Sequence, residues 1–296
     1  MMKSLGMSAF KVMSYNIRFA AKYEAKREYE WDYRKSGLVD VIKGQMPDVI
    51  GLQEVLSDQL DYIAQSLGDS YKHVGNAREY DSKNKSYRGE YSSVFYNTKK
   101  FQLLDQNTFW LSDNPDVPNE GPAWDADCVR ICTWVLLKDL NSEKVFVHFN
   151  THWDHVGPQA RTNSAVLMRN RIMQMLVTLR QKGFKDPLIS VSGDFNCLPD
   201  AKELSTMTEP LEDSGNNIKL QLTDSKSIAK SKQGPEGTFT FFDMSGNILI
   251  DYIFIQDGFD AIRKWDVDLY HVVDDLLPCG HVPSDHRPIV INLSCR

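Results

Sequence analysis

Apolar, β-branched runs in this chain end again and again on carboxylates, amides or imidazoles. "KVMSYNIRF" reaches Asn16, "PDVIGLQEV" reaches Glu54, and "VFVHFNTHWDH" reaches His152, with Asp154 and His155 close behind. "LISVSGDFN" carries Asp194 and Asn196, "ILIDYIFI" opens at Asp251, and "PSDHRPIV" sets Asp285 and His286 just before a final strand. Burying one unpaired carboxylate costs on the order of several kcal/mol. Acids brought to the lip of a core by several strands therefore need a cation or a set of donors between them. Oxygen ligands with neutral histidines suit a hard divalent ion, Mg²⁺ or Mn²⁺, better than zinc.

The strand candidates are Phe10 to Ile17, Val49 to Gln53, Tyr71 to Val74, Ser92 to Tyr96, Cys132 to Lys138, Lys144 to Thr151, Leu188 to Ser192, Asp251 to Gln256 and Pro288 to Leu293. They are short and rich in Val, Ile, Phe and Tyr, as buried or half-buried strands are. Helical spacing occupies Arg34 to Lys43, Asp58 to Leu67 and Ala160 to Gln181; the last aligns Ala165, Met168, Ile172, Met175, Leu176 and Leu179 in one core-facing stripe. Ala77 to Glu90, Ser112 to Asp127 and Leu211 to Gly237 read as long loops, rich in turn residues and often functional at such length. Many strands with few helices predict an α/β fold of two packed, mostly antiparallel sheets flanked by helices, a four-layer α/β/β/α sandwich. With no repeat and no linker, residues 1–296 read as a single catalytic domain.

Composition narrows the class. Net charge is −6, so the surface as a whole does not attract polyanions, and nucleic-acid binding would need a local basic patch or a metal in the cleft. Cys128, Cys132, Cys197, Cys279 and Cys295 show no CxxC pairing and read as free core thiols rather than a disulfide frame or zinc site. No apolar run is long enough to span a membrane, and the N-terminus lacks the apolar core of a secretory signal, so a cytoplasmic location is expected. No obligate protein partner is evident.

In these motifs the chain resembles the endonuclease/exonuclease/phosphatase superfamily, which includes pancreatic-type deoxyribonucleases, abasic-site endonucleases, deadenylases, neutral sphingomyelinases and inositol polyphosphate phosphatases. "SYNIR", "DVIGLQEV", "GEYSSVFYN", "RICTWVLL", "NTHWDH", "SGDFNCLPD", "IDYIFI" and "SDHRPIV" follow the family's order from about Phe10 to Leu293. A GDxN tetrapeptide alone arises by chance; the ordered set is specific. The resemblance implies a deoxyribonuclease-like sandwich and a Mg²⁺ or Mn²⁺ site at Glu54 and Asp285, with Asn16 beside it. Asp194 would be the base for the attacking water, and Asn196 would hold water or phosphate in line. Asp251 would fix His286 toward the scissile phosphate, and His152 would be a second phosphate-contacting histidine oriented by Glu90. Arg130 and Arg161 match basic positions near the phosphate less closely. Abasic-site endonucleases carry an acid where this chain has Arg18, so a one-for-one copy of their site is not expected.

Blander readings stand beside these. Alone, Asn16 reads as a turn residue and Glu54 as an acid at a helix N-terminus. Asp154 and His155 read as a cap and a surface imidazole, and His73, His148, His271 and His281 as structural. "KYEAKREYEWDYRK" reads as a solvated helical face, and the phenylalanines of "GTFTFFD" as core rather than a base-stacking platform. The expected activity is metal-dependent phosphodiester hydrolysis by direct in-line water attack, without a covalent intermediate. "FWLS" and "THWDHVG" resemble a bacterial branch grouped with deadenylase-like nucleases, which puts an exonuclease on single-stranded RNA or DNA first. A small-molecule, sugar-phosphate or phospholipid head-group phosphodiesterase or phosphatase is the alternative, and a non-catalytic module of the same fold a remote one.

Overall fold

Strands in the middle of a two-sheet stack are buried on both faces, so their sequences are continuous apolar runs rather than alternations. The computed structural model describes residues 9–242, 246–262, 264–276, 280 and 282–295. Cys279 and His281 lie outside the described residues. The first sheet orders the strands Ser231–Gln233, Trp265–Val272, Ile289–Cys295, Phe10–Asn16, Val49–Gln53, Val94–Asn97 and Tyr71–Val74. The second orders Thr223–Asp224, Asp251–Asp257, Leu188–Asp194, Val145–His152, Ile131–Asp139 and Phe101–Trp110. Most neighbours are antiparallel; Phe10–Asn16 runs parallel to Val49–Gln53, Val145–His152 to Leu188–Asp194, and Ser231–Gln233 to Trp265–Val272.

Three apolar layers hold the stack. Val12, Phe101, Phe146, Val135, Ile253 and Ile291 fill the space between the sheets. Helices α1 (Trp31–Gln45) and α2 (Ser57–Leu67) set Leu38, Ile42 and Ile63 against Met13, Tyr15 and Leu52 on the outside of the first sheet. Helix α3 (Pro158–Gln181) opens with proline in its first turn and packs Ala165, Met168, Ile172, Leu176 and Leu179 on the outside of the second. This is the expected four-layer sandwich.

Two strands went unread in the sequence. Phe101–Trp110 is an edge strand whose middle, Gln102 to Asn107, is mostly polar and exposed, and such edges discourage pairing with other chains. Trp265–Val272 alternates apolar and polar residues around a bulge between Val267 and Leu269. Two expected loops are also corrected. Ala77 to Glu90 is mostly a β-hairpin, Ala77–Asp81 with Ser86–Tyr91. Leu211 to Gly237 holds a small hairpin, further short strands and the helical turn Ser225–Ile228.

The register places chemistry at one end of the sandwich. Asp194 is paired across the ladder with His152 on one side and Asp251 on the other, while Asn16 pairs with Gln53, the residue before Glu54. The approach of these strands leaves no room beside Asp194: a Cβ on Gly193 would stand 2.2 Å from the Thr151 carbonyl oxygen. Gly193→Ala is accordingly expected to destabilise the fold by about 1–3 kcal/mol, measured as a lower melting temperature. An unchanged temperature would show that the strands can part without cost.

Candidate active site

Asn16, at the end of its strand, joins the two sheets. Its Nδ2 donates to Glu54 Oε1 and to Asp194 Oδ2, both at 3.0 Å, and its Oδ1 accepts the Arg18 N–H at 3.0 Å. Glu54 Oε2 accepts the Phe19 N–H at 3.1 Å. On the second sheet, Asp194 Oδ1 accepts the Asn196 N–H at 2.9 Å, and Asn196 Nδ2 donates to the Trp153 carbonyl oxygen at 3.0 Å and to His152 Nε2 at 3.1 Å. His286 Nδ1 lies 2.8 Å from Asp251 Oδ2, which leaves its Nε2 turned toward Asp194 Oδ2 at 3.7 Å. Ser284 Oγ donates to the Asn16 carbonyl oxygen at 2.8 Å, and so ties the segment bearing Asp285 and His286 to the first strand. Arg18, Glu54 and Asn196 all adopt positive φ, at 58°, 61° and 49°. Such backbone is costly for these residues and concentrates at functional sites.

Glu54, His152, Asp194, Asn196, Asp285 and His286 line one crevice of about 440 Å³, with Asn16 and Asp251 hydrogen-bonded directly behind them. Phe239, Arg18, Arg78, Glu90, Cys128, Arg130 and His155 form its walls. A second cavity, about 260 Å³ between α3 and the outer strands, contains none of the acids or histidines of this array.

Burial sets the electrostatics. Burial, reinforced by the charge of Asp251, pushes the Asp194 carboxyl up to about 7. Burial alone would push His286 down, but Asp251, Asp194 and Asp285 outweigh it and carry the imidazole up to about 10. His152 is held well below the usual histidine range by burial and by the guanidinium groups of Arg130 and Arg78. For Glu54, burial is outweighed by the Asn16 amide, His286 and the Phe19 N–H, and the carboxyl lies below its ordinary value. Asp285 is raised by burial; the charge of Glu54 adds to this, while His286 opposes it. Burial first, and the charge of Glu54 after it, thus push the Asp285 carboxyl toward its neutral form, an arrangement a divalent cation would relieve. The ligand atoms of Asp194, Asp251 and His286 also lie within 4.8 Å of one another and could hold a metal ion, although the His286–Asp251 bond already occupies one pair.

Several sequence expectations change. Asn16 turns its NH₂ toward the two carboxylates and gives its oxygen to a backbone N–H, so it spaces Glu54 and Asp194 rather than offering an oxygen to a metal. Glu90 does not touch His152; it pairs with Arg78 Nη1 at 2.6 Å. Arg161 is outside the crevice walls, bonded to the Asp154 carbonyl oxygen and close to Glu203. Asp154 is not a simple cap: it accepts the N–H groups of Asp127, Cys128, Val156 and Gly157 and holds Arg130 Nε at 3.2 Å. In "GTFTFFD", Phe239 lies against His286 with ring centroids 4.7 Å apart, Phe241 is 61% exposed, and Phe242 stacks on Tyr29. His148 is structural as expected, fully buried between Ser190 and Ser192.

Two residues escaped the sequence altogether. Arg34, within the supposed solvated cluster, is fully buried and donates to the carbonyl oxygens of Ile17, Arg18, Tyr29 and Pro283. It fastens the turn after Asn16 to the segment before Asp285. Its place four residues before Leu38 and eight before Ile42 put it on the buried face of α1, a signal its charge obscured. Arg78 lay in an expected loop, and nothing in its neighbours marked it.

A family model described as Endonuclease/Exonuclease/phosphatase matches residues 13–286. The chain belongs to that family. An endonuclease/exonuclease/phosphatase from Bacteroides vulgatus is 30% identical, with a TM-score of 0.81 over 98% of this chain and 100% of that one. A mannosyl-6-phosphatase of Bacteroides thetaiotaomicron is 28% identical, with a TM-score of 0.80 over 96% and 99%. Protein L388 of Acanthamoeba polyphaga mimivirus is 25% identical over 95% of this chain and 98% of its own. The human nocturnin catalytic domain, at 19% identity and a TM-score of 0.69, shares the fold. Members of the family are metal-dependent phosphoric ester hydrolases, and this chain is an enzyme of that class. Among the described residues no helix is long and apolar enough to cross a membrane.

Proposed function

We propose that the enzyme hydrolyses a small phosphoester, a sugar phosphate foremost, by direct attack of water, in preference to the single-stranded nucleic acid expected from the sequence. The crevice carries this proposal: at about 440 Å³ it has the size of a single small-molecule site. A chain of net charge −6 also lacks the overall field that draws a polyanion. The likeness to a mannosyl-6-phosphatase over nearly the full length of both chains supports it. A single-stranded nucleic acid remains the second reading because Phe241 is exposed near the crevice wall formed by Phe239, where a base could stack.

Glu54 and Asp285 would hold Mg²⁺ or Mn²⁺, and the ion would supply Lewis acidity toward the phosphoryl group. Asp194 accepts the proton of the attacking water; a carboxyl brought to about 7 is suited to that task near neutrality. Asn16 and Asn196 keep its two oxygens in place. His286, charged and fixed by Asp251, donates from Nε2 to the phosphoryl group as negative charge develops.

The test is turnover with Mg²⁺ or Mn²⁺ on hexose 6-phosphates, bis-p-nitrophenyl phosphate, single-stranded RNA and single-stranded DNA, at several salt concentrations. Hexose phosphates are expected to give the highest kcat/KM, with little change between roughly 50 and 200 mM salt. Preferential cleavage of polynucleotide, with a steep loss over that range, would replace this proposal with the second reading.

A further inference from the structure

A guanidinium taken out of water must have its hydration replaced, and a carboxylate is the usual replacement. Arg34, fully buried on α1, is held differently: five hydrogen bonds run from it, all to main-chain carbonyl oxygens. Nε donates to Tyr29 at 2.9 Å, Nη1 to Ile17 and to Pro283 at 3.1 Å, and Nη2 to Arg18 at 2.6 Å and Phe19 at 3.4 Å. A rigid planar fork of five donors can hold that many acceptors in fixed directions, and the three donors of a lysine cannot.

These acceptors belong to segments far apart in sequence. Ile17, Arg18 and Phe19 form the turn after Asn16, which keeps Arg18 at a φ of 58°, a conformation that needs support. Gln59 of α2 braces the same turn, donating from Nε2 to the Arg18 carbonyl oxygen at 3.0 Å and accepting the Ala20 N–H at 3.1 Å. Both carboxylates assigned to the metal depend on what Arg34 ties together. The Phe19 N–H donates to Glu54 Oε2, and Pro283 stands two residues before Asp285, with Ser284 between them bonded to the Asn16 carbonyl oxygen. Glu54 follows one strand and Asp285 precedes another, so their separation is set by packing alone. Arg34 supplies that packing from behind, without lining the crevice.

As a fixed charge, Arg34 repels a dication; as a brace, it holds the dication's ligands in place. Ligands fixed beforehand lose little further freedom on binding, and groups that orient metal ligands are worth about 10- to 100-fold in metal affinity. We propose that Arg34 is a positioning residue that sets the affinity for the divalent cation by fixing Glu54 and Asp285 relative to each other, and that this effect outweighs the repulsion of its charge. The inference rests on the assignment of the metal to Glu54 and Asp285 above.

The experiment titrates Mn²⁺ into the metal-free wild type, Arg34→Lys, Arg34→Met, Ser284→Ala and Glu54→Gln, and follows free Mn²⁺ by electron paramagnetic resonance. Melting temperatures of the same metal-free proteins separate stability from binding. Arg34→Lys keeps the charge and loses the fork; it should bind Mn²⁺ about tenfold more weakly, and Arg34→Met roughly 10- to 100-fold more weakly. Ser284→Ala removes only the parallel tie to Asn16 and should weaken binding about threefold, which tests the same coupling if neither Arg34 variant folds. Unchanged Mn²⁺ affinity in folded Arg34 variants, even with lowered melting temperatures, would make Arg34 purely structural and overturn the inference. Tighter binding in Arg34→Met would overturn it too, with charge repulsion as the larger effect, as would unchanged affinity in Ser284→Ala where neither Arg34 variant folds. Failure of the metal assignment itself would register separately, as wild-type affinity retained in Glu54→Gln or no Mn²⁺ bound by the wild type, and the inference would fall with it.

Discussion

Asp194→Asn is expected to lower kcat by about 10³- to 10⁴-fold, the upper range for loss of a general base, with the fold intact. An amide preserves the shape and its one oxygen can accept from either Asn16 or the Asn196 N–H, but it cannot take a proton from water. Asp194 must be charged to act, and burial with the nearby Asp251 charge carries its carboxyl to about 7. The wild-type rate should therefore fall as pH drops through about 7, or through a lower value once a divalent cation shares the crevice. The variant's residual rate should lack that acidic limb. Wild-type turnover with an unchanged profile in Asp194→Asn would remove Asp194 from the chemistry.

His286→Ala ranks next, with kcat expected to fall about 10²- to 10³-fold as one charged donor to the phosphoryl group is lost. It also has a signature in stability without metal. Folded His286 holds its proton up to about 10, against an ordinary value of 6.5. Between those values the native state binds more protons than the unfolded chain. This contribution is fully present below about 6.5 and is lost as pH rises through about 10. Melting temperatures of the metal-free wild type should thus decline over that window, and the decline should be shallower in His286→Ala. Parallel curves for the two proteins would contradict a charged His286 held by Asp251.

Much of the architecture was legible because a two-sheet stack demands continuous apolar strands, and those stand out. Val49–Gln53 and Tyr71–Val74 match their expected ranges, and Leu188–Asp194 runs two residues further than expected, through the acid itself. Phe101–Trp110 was hidden for the opposite reason: an exposed edge needs no apolar face in its middle, so its residues read as loop. The hairpin Ala77–Asp81 with Ser86–Tyr91 failed in the same way, since beyond Ala77 its residues are half-buried or exposed and it is held by a few contacts, among them the Val55–Tyr91 bridge and the bond from the Trp110 indole N–H to the Arg78 carbonyl oxygen.

The polar ends of apolar runs were sufficient to name Asn16, Glu54, His152, Asp194, Asn196, Asp251, Asp285 and His286, because a chain has few reasons to bring acids to its core unless they meet. What each does once there depended on partners far away in sequence. Asn16 faces Glu54 and Asp194 with donors rather than an oxygen, Glu90 bonds Arg78 in place of His152, and Arg34 is buried under backbone carbonyl groups. Residue types and strand patterns are local properties, so they determined the sandwich and the acids, amides and histidines of the crevice, though not Arg78 in its wall. Hydrogen-bond direction, burial and charge balance are properties of neighbours in space, and only the packed structure decided them.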